Sequence, residues 1–177
     1  MTRFAAGDRV LGHALGIERH HNRAAEGAFQ HYVVLAEHMS TPIPAHVRFE
    51  QAADLPLALS TAASGLFDPS LLGLARPGTP NPHTGTVLVW GGSTSVGSSA
   101  IQLAAIAGYD VIATASPHNH EYVRKLGARA AFDYRNRTIV SDIVDELRGK
   151  RLRRGSGDRF RLRAAMSANC APRPWRT

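Results

Sequence analysis

The sequence is poor in cysteine and in long apolar runs, and each shortage closes off a class of protein. Cys170 is the only cysteine in the 177 residues, so neither an internal disulfide nor a cysteine-rich zinc site can form within the chain. No hydrophobic run approaches the ~20 residues that a membrane span needs. The first ten residues show no apolar core followed by a small-residue cleavage site, so no secretory signal is expected and a cytoplasmic location is the default. Acidic residues are scarce in one place only. From residue 151 onward, Arg151, Arg153, Arg154, Arg159, Arg161, Arg163, Arg173 and Arg176 face the single acid Asp158, and this stretch carries the whole formal charge of +7. Residues 1–150 are neutral. A basic tail on a neutral body without a periodic apolar face or a recognisable module does not predict a nucleic-acid partner, and no membrane partner is expected either.

What remains is a globular chain with 44% hydrophobic residues. Residues 1–44 read as β-structure and loop. Short strands are expected at 9–11 and, from the β-branched and aromatic Gln30-His31-Tyr32-Val33-Val34-Leu35, at 30–35, while Pro42 and Pro44 keep the backbone extended. Residues 50–73 turn helical, with Pro56 separating a short helix from a longer one. A proline-containing loop over 76–86 then leads into a regular alternation. Strands are expected at 86–90, 110–115 and 130–133, and helices at 98–107, 118–126 and 138–147, with Gly108 and Gly127 ending the first two helices. Such alternation means βαβ units and a parallel sheet, and the continuous apolar run Val87-Leu88-Val89 suits a strand buried on both faces.

Between the first of these strands and its helix lies Gly91-Gly92-Ser93-Thr94-Ser95-Val96-Gly97. A strand that runs through a small-residue turn into a helix aims free N–H groups and the positive end of the helix dipole at an anion. The same turn can also be an ordinary strand–helix connection, and only its place in a βαβ unit favours a dinucleotide phosphate. The end of the second strand bears on which dinucleotide. Binders of NAD place an acid about 20 residues past the glycines for the ribose hydroxyls. This chain has Ser116-Pro117-His118-Asn119 there, with Arg124 and Lys125 shortly after. Hydroxyl, imidazole and amide groups suit a 2′-phosphate, which points to NADP. The alternative is that Ser116 or Asn119 only caps the following helix. Asp110 stands at the start of its strand, too early for the ribose. The nine histidines include His20-His21 and His118-x-His120, but no carboxylate or cysteine stands in register with either, so they read as loop histidines. Ser93 to Ser95 lack an elbow motif and a His/Asp partner, which argues against a hydrolase.

These residues, taken in order, resemble the medium-chain dehydrogenase/reductase superfamily. Gly7-Asp8-Arg9-Val10, Gly27-Ala28-Phe29-Gln30-His31-Tyr32-Val33 and Ile43-Pro44 resemble the GroES-like part of quinone oxidoreductase-type reductases. Phe49-Glu50-Gln51-Ala52-Ala53, Leu55-Pro56-Leu57 and Ser60-Thr61-Ala62 resemble the segment linking it to the Rossmann domain. The turn at 90–97, Ala113-Thr114-Ala115-Ser116-Pro117-His118-Asn119 and Phe132-Asp133-Tyr134-Arg135 resemble fungal zinc-binding-dehydrogenase-domain proteins, a group that includes trans-acting enoyl reductases of polyketide synthesis.

The resemblance implies an α/β fold, with a partial GroES-like β region over 1–49 followed by the first half of a Rossmann parallel sheet over 50–152. It implies that Ser93, Thr94, Ser95 and Val96 hold the pyrophosphate of NADP, the hydroxyls of Thr94 and Ser95 standing in where many relatives have glycines. Ser116, Pro117, His118, Asn119 and Tyr134 would hold the 2′-phosphate, and residues 58–65 would border the substrate cleft. The implied activity is hydride transfer from NADP(H) to a small-molecule enone, quinone or polyketide-type substrate, as in fungal secondary metabolism. No zinc is expected, because residues 18–27 stand where zinc dehydrogenases have a four-cysteine lobe. No residue presents itself as a proton donor, so none is named as catalytic.

The resemblance also implies a longer protein, since three of the six strands of the full fold are countable. The rival expectation is therefore a non-catalytic piece holding only the adenosine-phosphate half of the site, with an unpaired sheet edge open to self-association. Residues 153–177 show no fourth apolar strand. They are expected to be disordered or the product of a shifted reading frame, and a phosphate-binding arm is the weaker alternative.

Overall fold

The computed structural model describes residues 3–79 and 85–149, so the arginine-rich tail and every expectation placed on it lie outside the described residues. The chain divides into two compact units, with the break between Leu57 and Ala58.

In the first unit, β1 (Val10–Gly12) pairs antiparallel with β2 (Ser40–Pro42), Leu11 standing opposite Thr41. The expected strand at 30–35 does not form. The Gln30 side-chain amide donates to the carbonyls of Ala24 (2.9 Å) and Gly27 (2.7 Å), and Val34 N donates to Ala25 O, so this stretch folds back on the turn before it. Strand propensity describes fit to a partner surface, and here the surface beside β1 is taken by residues 40–42. The Arg9 guanidinium donates to the carbonyls of Pro44, Ala45 and Val47 and lies over the Phe49 ring at 4.5 Å. Helix α1 (Phe49–Ala53) follows, and α2 (Leu55–Phe67) begins immediately after Asp54. Pro56 occupies the first turn of α2, where its missing N–H costs nothing.

The second unit contains a parallel sheet in the order β3-β4-β5, formed by Thr86–Val89, Asp110–Thr114 and Ala130–Phe132. Val87 stands opposite Val111, and Ala113 opposite Ala131. The connecting helices are α3 (Ser95–Ile106) and α4 (His120–Lys125), and α5 (Ile139–Leu147) follows β5. Because strand side chains alternate, the sheet builds a core on each face. Val87, Val89, Val111 and Ala113 pack with Ala62 and Leu66 of α2, Ala100, Ile101 and Ala104 of α3 and Val123 of α4. Leu88 and Ile112 point the other way and pack with Ile139 and Ile143 of α5. All four residues of β3 are buried, as their continuous apolar run requires. The strands and helices of this second unit thus fall within a few residues of their expected positions, and no helix among the described residues is long and apolar enough to cross a membrane.

Candidate functional site

The C-terminal ends of the three parallel strands bring the candidate residues to one edge of the sheet. After β3 the chain turns at Gly91, whose φ of +80° is open to glycine and strained for other residues. Gly97, in the first turn of α3, lies against this turn. A Cβ at Gly97 would stand 2.2 Å from the Gly91 carbonyl oxygen, so only glycine lets the helix start so close to the strand end. Gly92 is equally confined, since a Cβ there would meet Ile101 Cδ1 at 2.9 Å and the Ala113 methyl at 3.0 Å.

Two threonines hold the turn. Thr114 ends β4 and is fully buried; its Oγ1 accepts from Gly91 N at 2.9 Å, and its carbonyl accepts from Gly92 N at 2.8 Å. Thr94 is the N-cap of α3. Its Oγ1 accepts from Gly97 N at 3.0 Å and donates to Gly91 O at 2.9 Å, while its own amide also donates to Gly91 O. The cap explains why α3 starts at Ser95, three residues earlier than its small residues suggest. It also changes the expected part of Thr94, whose amide and hydroxyl are both spent inside the turn. The hydroxyls of Ser93 and Ser95, and the amides of Ser93, Ser95 and Val96, have no hydrogen-bond partner among the described residues. The Ser95 and Val96 amides belong to the N-terminus of α3 and that of Ser93 just precedes its cap, the place where an anion finds donors.

The second cluster forms where β4 and β5 end. Neither Ser116 nor Asn119 makes a side-chain cap, so the capping alternative fails. Instead the buried Ser116 hydroxyl lies 3.2 Å from the Tyr134 hydroxyl, joining the β4 end to the turn after β5. Pro117 opens a single 3-10 turn, Pro117–Asn119, that leaves His118 exposed and Asn119 half-buried. His120, the second histidine of the His118-x-His120 pair, has Nε2 3.1 Å from the Ala115 carbonyl. The hydrogen bond to Ser116, and then the neighbouring Arg135 guanidinium, lower the Tyr134 phenol below its usual pKa range. The Arg135 guanidinium lies 5.2 Å from the Tyr134 ring centroid.

Sequence reasoning missed Arg135 as a member of this cluster. It had pointed to Arg124 and Lys125, but Lys125 pairs with Glu121 at 2.7 Å along α4. The missing signal is a turn: the Asp133 carboxylate accepts from Arg135 N at 3.0 Å, and Asn136 N donates to Asp133 O. Asp110, set aside for its position, is tied at the opposite end of its strand to Arg129 at 2.8 Å. Residues 58–65 lie along α2, with Ala58 and Ala62 buried.

The edge therefore presents two sets of donors: helix-terminal amides with serine hydroxyls, and a hydroxyl pair beside a guanidinium. Both suit phosphate oxygens. No family model matches the chain. A dehydrogenase of Aspergillus niger is 54% identical over 151 residues, which are 85% of this chain and 43% of that protein. A trans-enoyl reductase of Aspergillus japonicus is 40% identical over 148 residues, 83% of this chain and 42% of that protein. Among solved structures, an alcohol dehydrogenase superfamily protein from Novosphingobium aromaticivorans superposes with a TM-score of 0.67 at 31% identity, over 82% of this chain and 39% of that one. The quinone oxidoreductase of Thermus thermophilus, whose structures include a complex with NADPH, gives 0.53 at 28% identity, over 67% of this chain and 36% of that one. The chain spans about two fifths of the length of the curated relatives it matches. With the fold, the turn and these relatives in agreement, the chain belongs to the medium-chain dehydrogenase/reductase superfamily.

Proposed function

We propose that the edge formed by β3, β4 and β5 is the adenosine-diphosphate half of an NADP(H) site. In this reading the protein is a zinc-independent oxidoreductase of the enoyl reductase or quinone oxidoreductase kind. The observation that carries it is the Ser116–Tyr134 hydroxyl pair at 3.2 Å with Arg135 beside it, at a strand end that has no carboxylate in Ser116-Pro117-His118-Asn119. A carboxylate at that place would accept from ribose hydroxyls and repel a 2′-phosphate. The free hydroxyl hydrogen of the pair and a guanidinium reverse that preference.

Ser93, Ser95 and Val96 would hold the pyrophosphate through amides and hydroxyls, with Thr94 shaping the turn. Ser116 and Tyr134, with Arg135, would hold the 2′-phosphate, and Pro117, His118 and Asn119 would form the wall around it. The cofactor supplies the hydride, and the protein supplies binding and orientation. An activated double bond or carbonyl of an enone, quinone or polyketide-type small molecule is the substrate class that this reading adopts from the named relatives.

For the 177 residues taken alone, the three-stranded sheet among the described residues favours a narrower reading: binding of the adenosine half without turnover. Hydride transfer requires the nicotinamide within contact distance of substrate, and a displacement of about 1 Å can cost ~100-fold in rate. The test is titration of the purified chain with NADPH and NADH, followed by NADPH oxidation with a panel of enones and quinones. Tighter binding of NADPH supports the cofactor reading, and equal or tighter NADH binding overturns it. Steady turnover that disappears in the Ser93→Ala and Tyr134→Phe variants would replace the binding-only reading with the enzymatic one.

A further inference from the structure

Of the two threonines that hold the turn, one lies on the sheet side, away from any ligand. Gly91 has a positive φ, and its amide points away from the anion-binding side toward β4. It is met there by a side chain. Thr114 is 0% exposed, and its Oγ1 accepts from Gly91 N at 2.9 Å while its carbonyl accepts from Gly92 N at 2.8 Å. One residue thus continues the β3–β4 ladder past the end of β3, using a hydroxyl where the backbone has already left strand geometry. On the other side, Gly91 O accepts from both the amide and the hydroxyl of Thr94, whose oxygen also receives Gly97 N. Gly91 is therefore held at its amide by the sheet and at its carbonyl by the helix cap.

We infer that Thr114 is a positioning residue for the diphosphate subsite: it acts through the Gly91 amide and never touches the ligand. The inference rests on the reading of the turn as a phosphate site. Its logic is that the amides of Ser93, Ser95 and Val96 converge on one anion only while Gly91 keeps its left-handed conformation. A part-buried amide deprived of its acceptor must either stay unsatisfied or turn toward water, and either choice moves the turn. Thr114 also lies two residues before Ser116, so the hydroxyl that shapes the diphosphate turn and the hydroxyl assigned to the 2′-phosphate come from one extended stretch of backbone. Threonine is suited to the place because its methyl fills the core while its hydroxyl meets the turn. Valine matches the shape and lacks the acceptor, which makes this swap informative.

The experiment compares the full chain with Thr114→Val and Thr114→Ser. It reads ADP affinity by calorimetry and Gly91 amide hydrogen exchange by NMR, with the Val111 and Ile112 amides as the internal measure of folding. The expected result for Thr114→Val is roughly tenfold weaker ADP binding and about tenfold faster exchange at Gly91, as loss of one part-buried hydrogen bond implies. Exchange at Val111 and Ile112 should stay unchanged. Thr114→Ser should restore both within about twofold, because it returns the acceptor and omits only the methyl. ADP affinity and Gly91 exchange like wild type in Thr114→Val would overturn the inference. So would a Thr114→Ser chain as impaired as Thr114→Val, because packing would then be the cause. Failure of the cofactor reading looks different: the wild-type chain itself would bind no ADP.

Discussion

At the N-terminal ends of the parallel strands, Asp110 opens β4 and binds the Arg129 guanidinium at 2.8 Å, and Glu146 of α5 takes the same guanidinium at 2.6 Å. The Arg129 guanidinium donates to both carboxylates, which raise its pKa, Asp110 first and Glu146 second. At the C-terminal ends of the same strands the polar groups are arranged differently. The amides of Ser93, Ser95 and Val96 have no partner among the described residues, and Ser116 and Tyr134 meet beside Arg135, whose backbone amide is held by the Asp133 carboxylate. Both edges are polar, but one satisfies its charges internally and the other keeps donors in reserve. The difference agrees with the proposal that the C-terminal edge binds nucleotide, since ligands of open α/β sheets generally lie at strand C-termini.

The strongest way to break the comparison is to close the binding edge sterically. Gly97→Ala would place a methyl 2.2 Å from a backbone carbonyl that has no rotamer with which to escape. The expected cost is about 1–3 kcal/mol, a typical overpacking penalty, together with loss of nucleotide binding. Thermal melts and calorimetry check both. An unchanged melt with retained binding would show that the turn is far more pliant than its contacts indicate.

Tyr134→Phe is a finer probe. Tyr134 is 40% exposed, so stability should hardly change. Preference for a 2′-phosphorylated nucleotide should fall about tenfold, the worth of one hydrogen bond to a charged group. The pH dependence follows from the lowered phenol pKa. As pH rises, Tyr134 loses its proton earlier than an ordinary tyrosine, and the resulting phenolate repels a phosphate. In wild type the preference should therefore decline on the alkaline side before the usual tyrosine range, and Tyr134→Phe should abolish that decline. Affinity ratios measured across alkaline pH test this.

Arg129→Met should produce the smallest effect. Its side chain is 43% exposed, so solvent screening limits the loss to about 1 kcal/mol or less. Nucleotide affinity should not change. A chemical denaturation curve and one titration suffice, and altered nucleotide binding in this variant would remove the distinction between the two edges.

The sequence displays the alternation of strands and helices because β3 and β4 are continuous apolar runs and Gly108 and Gly127 end their helices. Misreadings arise where a partner decides the outcome. Residues 30–35 have strand composition, yet Gln30 is drawn back to the carbonyls of Ala24 and Gly27 and β1 pairs elsewhere. The start of α3 is hidden because Ser95 to Ser99 are weak helix formers, and the Thr94 cap with the close approach of Gly97 overrides that weakness. At the proposed site, the motifs draw attention to Ser116 and Tyr134, which the structure brings within 3.2 Å of each other, whereas Arg135 reaches its place through a turn built by Asp133. The work of Thr114 is invisible in a linear reading, since a threonine at the end of an apolar strand looks like any β-branched residue.

The central claim is that the C-terminal edge of this sheet reads the 2′-phosphate. Its most direct test is isothermal calorimetry of the purified chain with adenosine 2′,5′-bisphosphate and with AMP, at one ionic strength. The account predicts at least about tenfold tighter binding of the bisphosphate, as one or more charge-assisted hydrogen bonds should give, with most of that advantage lost in the Ser116→Ala/Tyr134→Phe double variant. Equal affinity for the two nucleotides, or tighter binding of AMP, would contradict it.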